Sequence, residues 1–214
     1  MNGVSAILLA AGESRRMGTL NKLALPLDGV PLLRRAANTL LESALQEVVV
    51  VVGHQAQAAR ALLGDLPLRI VDNQHYRDGQ MTSVHRGMEA LSAPCDGVMV
   101  CLSDQPLLTA TDIDLLVHAF LHDCPTSVLV PVWQGRRGNP VVLAYAHRDA
   151  ILGGTRNLGC RRLIENNPEL VTSLEMPDDH TVFDIDTPSD YRHATQRLQS
   201  LEAVTGEARA ATGH

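Results

Sequence analysis

The chain has 214 residues, 45% hydrophobic and 20% charged, with 18 basic against 24 acidic side chains and a formal charge of -6 at pH 7. That is the composition of one globular domain with a substantial core, and it excludes a disordered chain. The negative balance, with only one Trp, three Tyr and two Phe, speaks against a nucleic-acid partner, and no apolar run reaches the ~18 residues of a membrane helix.

Residues 4–9 read as a buried strand that runs into the tight loop Ala10-Ala11-Gly12. No basic residue precedes Arg15, so a secretory leader is not expected. Residues 31–45 have helical apolar spacing, with Pro31 suited to a first turn. Five consecutive valines within 47–52 predict a parallel strand buried on both faces. A helix over 55–63, a strand over 68–71, a helix over 81–91 and a strand over 97–102 follow. Thr109-x-x-Asp112 has the form of a helix start leading to Leu121. Residues 127–132 and 140–144 read as strands joined by a polar loop, 158–166 as a helix, 170–175 and 181–185 as short strands, and 189–201 as a closing helix.

Strands alternating with helices predict one α/β domain over residues 1–204, three-layered, with a mostly parallel sheet. Residues 127–144 would supply a small mixed or antiparallel part, and 205–214 have the composition of a flexible tail. In such sheets ligands bind beyond the carboxyl ends of the strands. Cys95, Cys101, Cys124 and Cys160 are scattered, with no Cys-x-x-Cys pair. This excludes a zinc ribbon or thioredoxin-type site and fits reduced cysteines in a cytoplasmic protein.

Lys22 is the only lysine among the 18 basic residues. Either arginine bias left one lysine by chance, or this position needs a compact ammonium. It lies just after the loop 9–18, in which Gly12 and Gly18 allow backbone close to a ligand and Arg15 and Arg16 add positive charge. Neither a P-loop nor a Gly-x-Gly-x-x-Gly dinucleotide fingerprint is present. Asp104 follows the apolar strand 97–102, and Asp186 follows 181–185. Thr82 and Ser83, after Gly79, stand at a helix start, where they either cap the helix or approach an anion.

The stretch Leu9-Ala10-Ala11-Gly12-Glu13-Ser14-Arg15-Arg16-Met17-Gly18, then Asn21-Lys22-Leu23, closely resembles the signature of the nucleotidyltransferases that modify molybdopterin. Ser103-Asp104-Gln105-Pro106 and Asp184-Ile185-Asp186-Thr187-Pro188 resemble two further motifs of that family, in the same order. The resemblance implies a Rossmann-like nucleotidyltransferase fold. It also implies a nucleotide site of Leu9, Ala10, Ala11, Gly12, Lys22, Gly79, Thr82, Ser83 and Asp104. Arg16, Lys22, Asp104 and Asp186 would be catalytic, with Asp104 and Asp186 holding Mg2+ or, alternatively, Mn2+. Gly138, Asn139, Pro140 and Arg161 would bind the acceptor, although Asn157 and Cys160 depart from the family pattern around Arg161.

Ala10-Ala11 resembles the cytidylyl branch, which implies CTP as donor, a molybdopterin-type acceptor and pyrophosphate as leaving group. The further partner implied is transient contact with a molybdoenzyme or its chaperone. Three other readings stay open: transfer to a sugar-1-phosphate or other phosphorylated acceptor, non-catalytic delivery of the molybdenum cofactor, and nicotinamide-dependent oxidoreduction. The last is suggested only by the α/β alternation.

Overall fold

The structure, a computed structural model, describes residues 3–14, 21–92, 94–123, 128–153, 165 and 167–211. Its centre is β1 (Val4–Ala10), whose residues are all buried. β4 (Val48–Val52) and β6 (Gly97–Leu102) flank it, both parallel to it, and β5 (Arg69–Asp72) extends the sheet beyond β4. On the other side β9 (Val141–Ala144) runs antiparallel to β6 and to β7 (Val128–Trp133), and β10 (Val171–Glu175) pairs parallel with β7. The order is β10-β7-β9-β6-β1-β4-β5, with the short β8 (Arg136–Arg137) turned back on β7. The fold is therefore the expected three-layer, mostly parallel α/β arrangement, with its antiparallel part where residues 127–144 predicted mixed pairing.

The central strands β1, β4, β6 and β9 are almost wholly apolar because helices cover both faces. Ala6, Leu8 and Ala10 alternate with Ile7 and Leu9, and successive side chains of a strand point to opposite faces. The first set packs with Val48, Val50 and Val52 under α1 (Leu32–Leu41), α2 (Ala56–Leu63) and α4 (Ala110–Asp123). The second packs with Val49 and Val51 under α3 (Gln80–Ala90) and α5 (Arg148–Gly153). A Cβ on Gly87 of α3 would stand 2.4 Å from Ile7 Cγ2, so glycine sets how closely that helix approaches the sheet. Cys95 and Cys101 are free and buried, and burial pushes both thiols up, away from reactivity. Among the described residues no helix is long and apolar enough to cross a membrane.

Three local expectations need correcting. Residues 181–185 are not a strand. Asp178 Oδ1 accepts from His180 N, Asp179 O accepts from Val182 N, and the chain closes into a 3-10 turn, His180–Val182, before running on extended. Helix α1 stops at Leu41 rather than at 45, where the Ser43 hydroxyl donates to Thr39 O and competes with the helical pattern. The closing helix, α6 (Pro188–Ala211), continues past 201 through a segment rich in the good helix formers Ala, Glu and Arg. The helix expected over 158–166 lies outside the described residues except for Glu165. Helix α5 and strand β8 were not anticipated, and neither was the hairpin formed by β2 (Pro26–Leu27) and β3 (Val30–Pro31), whose Asp28-Gly29 turn has positive φ at both positions. Asp-Gly between apolar residues is a strong hairpin signal, and it was there to be read. This hairpin receives α6, through Leu27, Leu32, Ile185 and Ala194.

The helix start at Thr109-x-x-Asp112 forms as a reciprocal cap. Thr109 N and Oγ1 donate to Asp112 Oδ2, and Asp112 N donates to Thr109 Oγ1. The same oxygen accepts from His180 Nδ1 at 2.9 Å, with Asp178 Oδ1 3.1 Å from that nitrogen. The Asp112 hydrogen bond, with Asp112, Asp178 and Asp179 charges behind it, lifts the His180 pKa above its ordinary 6.5. Burial alone pushes the Asp112 carboxyl up, but the His180 and Thr109 hydrogen bonds outweigh it and hold it below 3.8.

The pair has a defined pH signature. The raised His180 value contributes stability that is complete below 6.5 and fades as pH rises through the folded value. The lowered Asp112 value contributes above 3.8 and fades as pH falls through its own folded value. Thermal unfolding of the wild type and of His180→Gln should therefore differ most between about pH 4 and pH 6.5, and progressively less in more alkaline buffer. A difference that grows above pH 8 would show that this ion pair does not act as described.

Candidate active site

Because β1 and β6 are adjacent and parallel, their carboxyl ends deliver Ala11-Gly12 and Ser103-Asp104 side by side. Lys22 arrives on a 3-10 turn, Lys22–Ala24, capped by Asn21, whose Oδ1 accepts from Leu23 N at 3.1 Å. Lys22 is only 6% exposed, and its Nζ lies 2.8 Å from Asp104 Oδ2 and 3.5 Å from Asp186 Oδ1. The structure thus brings together three residues drawn from positions 22, 104 and 186.

Asp186 comes from the extended segment after the 3-10 turn. Ile185 N donates to Asp104 O at 2.9 Å and ties the two acidic segments together. Asp190 Oδ2 accepts from Asp186 N, Thr187 N and Thr187 Oγ1, fixing the backbone of Asp186 as it enters α6.

Sequence reasoning passed over Asp184 as a site residue. Side chains two apart on an extended chain point the same way. Ile185 is fully buried, so Asp184 and Asp186 share the opposite side. That alternation was the available signal. Asp184 is exposed, but the protein beside it strips part of its water. This desolvation, then the Asp104 and Asp186 charges, push its carboxyl up to about 6, against the pull of Lys22 and Gln105. Three carboxylates and one ammonium therefore share the strand ends. Asp104 Oδ1 is buried with no hydrogen-bond partner among the described residues. An unpartnered, buried carboxylate oxygen beside other carboxylates is the donor chemistry of a hard divalent cation.

The adjoining cleft has a volume of about 270 Å3. Leu9, Ala10, Ala11, Gly12 and Ser14 form one side, with Lys22, Leu23, Leu102, Ser103 and Asp104, and Tyr76, Gln80 and Ser83 complete it. The expected residues Gly79 and Thr82 do not line it. Thr82 is buried, and its hydroxyl donates to Gly79 O and His75 O, so it holds the loop that leads into α3. Arg16 and Arg161 lie outside the described residues.

Gly138, Asn139 and Pro140 are likewise outside the cleft lining and act from behind. Asn139 N donates to Thr181 O, which also accepts from Gln105 Nε2, each at 2.8 Å. A Cβ on Gly138 would stand 2.5 Å from Thr181 O, a backbone atom that cannot swing aside. Gly138→Ala should therefore lower stability by about 1–3 kcal/mol and reduce turnover by displacing the segment that carries Asp184 and Asp186. Equal thermal stability of this variant and the wild type would refute the buttress.

Asp112, Asp178 and His180 also come close enough to hold a metal ion. Asp112 Oδ2 already accepts from Thr109 and His180, so the cluster is a completed helix cap, whereas Asp104 Oδ1 has no partner among the described residues.

The MobA-like NTP transferase domain matches residues 6–171. Nicotine blue oxidoreductase of Paenarthrobacter nicotinovorans is 33% identical over 189 residues, covering 86% of this chain and 92% of that protein. Purine catabolism protein PucB of Bacillus subtilis is 31% identical over 194 residues, with the same two coverages. Among solved structures, a nucleotidyl transferase from Methanothermobacter thermautotroptrophicus superposes with a TM-score of 0.81 at 22% identity, covering 94% of this chain and all of that one.

Proposed function

The chain belongs to the family of MobA-like NTP transferase domains, and from that premise we propose that it transfers a cytidylyl group from CTP to a molybdopterin-type acceptor. An acceptor phosphate oxygen attacks the α-phosphorus, a new P–O bond forms, the bond to the β-phosphate oxygen breaks, and pyrophosphate leaves. The attacking oxygen is already anionic, so no strong base is required, and the protein's contribution is positioning and charge neutralisation.

The observation that carries this reading is Lys22 held between Asp104 and Asp186 beside the cleft, with Asp104 Oδ1 left without a partner among the described residues. Asp104 and Asp186 would hold Mg2+ or Mn2+, which when bound supplies Lewis-acid neutralisation of phosphate charge. The Lys22 ammonium stands beside the same space and would hold the triphosphate and meet the charge that grows on departing pyrophosphate, assisted by Arg16 from the loop. The backbone of Ala11-Gly12 would approach the phosphates closely. The choice of CTP is supported by Ala10-Ala11, which line the cleft and resemble the cytidylyl branch of the family. The acceptor is supported by the motif resemblance.

The test is a pyrophosphate-release screen of CTP, GTP, ATP and UTP with Mg2+ against molybdopterin and a set of sugar phosphates. Release with CTP and molybdopterin, exceeding every other pair, is expected. Release only with a sugar phosphate would replace the acceptor and leave nucleotidyl transfer standing.

A second reading, oxidoreduction, is favoured by one observation, the name of the 33% identical relative. It requires consumption of a reduced nicotinamide in the absence of any nucleoside triphosphate. Pyrophosphate release without such consumption would set it aside.

A further inference from the structure

Tyr76 is the one aromatic side chain in the cleft lining, and the chemistry above makes no use of it. Its place follows from the order of the strand ends. Asp104 leaves β6, Ala11 leaves β1, Gly53 leaves β4, and the loop after β5 brings Tyr76 back over Gly53. With neighbouring strands about 4.8 Å apart, the carboxylates and Tyr76 are separated by roughly 10 Å along the sheet edge. A nucleotide whose phosphates meet Lys22 and Asp104 would extend its base away from that charge, towards the far, aromatic end.

The ring is seated before any ligand arrives. A Cβ on Gly53 would stand 2.8 Å from Tyr76 Cβ, 2.9 Å from its Cγ and 2.9 Å from Ala11 Cβ. Gly53 does not have the positive φ that favours glycine elsewhere, so close approach is what requires it here. The Arg77 guanidinium lies 5.5 Å from the ring centroid and its Nε donates to Glu13, while the His54 ring is 6.1 Å away. The loop itself is pinned by Asn73, which is 4% exposed. Its Nδ2 donates to Thr82 Oγ1 and Ser83 Oγ, and its Oδ1 accepts from His75 N.

We propose that Tyr76 is a specificity-determining residue, the rigid wall that closes the nucleobase end of the cleft and restricts it to a small base. The proposal rests on the nucleotidyltransferase reading and adds a residue that no motif marks. A flat ring fixed on a glycine step cannot yield to a larger base without displacing the pinned loop. A tyrosine that served only to cover Gly53 would alter stability and affect every nucleotide equally.

The experiment measures equilibrium binding of CTP and of GTP, each with Mg2+ and without acceptor, by titration calorimetry. In Tyr76→Ala the ratio of dissociation constants should move about 10-fold towards GTP. Tyr76→Phe, which keeps the ring, should restore most of the original preference. Tyr76→Leu supplies the same comparison with more retained bulk, should the alanine variant fold poorly. An unchanged ratio in a folded variant that binds both nucleotides overturns the role of Tyr76 and leaves nucleotidyl transfer intact. Absence of binding of either nucleotide to the wild-type protein overturns the nucleotidyltransferase reading and, with it, this proposal.

Discussion

Lys22→Ala is expected to lower kcat by about 10²–10³-fold and to weaken nucleotide affinity, because it removes the positive charge that would meet the negative charge growing on departing pyrophosphate. The structure adds a second consequence. With Nζ gone, Asp104 and Asp186 lose the ammonium 2.8 and 3.5 Å away, and Asp184 loses its main opposing charge. Removing the enclosed partner of this part-buried ion pair destabilises the fold, so the melting temperature in metal-free buffer should fall as well.

Lys22→Arg is the sharper comparison. Lys22 is almost wholly enclosed, and a broad planar guanidinium does not fit where a compact ammonium reaches two carboxylates from a 3-10 turn. Its turnover should also drop markedly, although the charge is kept. Steady-state pyrophosphate release on both variants checks this. Near-normal kinetics for Lys22→Arg in a folded protein would show that the solitary lysine is an accident of composition.

Asp104→Asn and Asp186→Asn are expected to abolish turnover, with losses of at least about 10²–10³-fold, while leaving the fold as stable as before or more so. The two readouts should part because of the charge count at the strand ends. Among the described residues three carboxylates face one ammonium there, and the Asp104 and Asp186 charges add to desolvation in raising the Asp184 value. Removing one charge relieves repulsion among the carboxylates, and Lys22 keeps a partner in either variant. The same change removes an oxygen donor set that Asn, as a neutral amide, replaces poorly towards a divalent cation. Turnover measured across a Mg2+ titration, beside thermal unfolding, separates the two effects. Wild-type turnover with a lowered melting temperature would make Asp104 and Asp186 partners of a purely structural ion pair.

The sequence by itself determined the layers, the strand polarity and the separate pieces of the site. Val48–Val52 can only be a strand covered on both faces, and Gly97–Leu102 falls on the predicted residues, because burial of uninterrupted apolar runs depends on local composition. The loop after β1, Lys22, Asp104 and Asp186 carried their chemistry in their types and motif order. What only the tertiary structure decided is which of these pieces touch and which merely support. The segment 181–185 looks like a strand from its apolar residues, yet Asp178 and Asp179 turn it into a 3-10 turn, and a single hydrogen bond from Ile185 to Asp104 places its acids. Thr82 and Gly138–Pro140, which the resemblance implies as ligand contacts, also form a loop tie and a buttress, a role that a hydroxyl or a missing Cβ does not disclose in a sequence. Asp184 stood only inside a motif, and Tyr76 went unmarked. Their environments are made by residues 80 positions away or by a glycine on another strand, and close approach between distant segments is a property of packing, which no local pattern encodes.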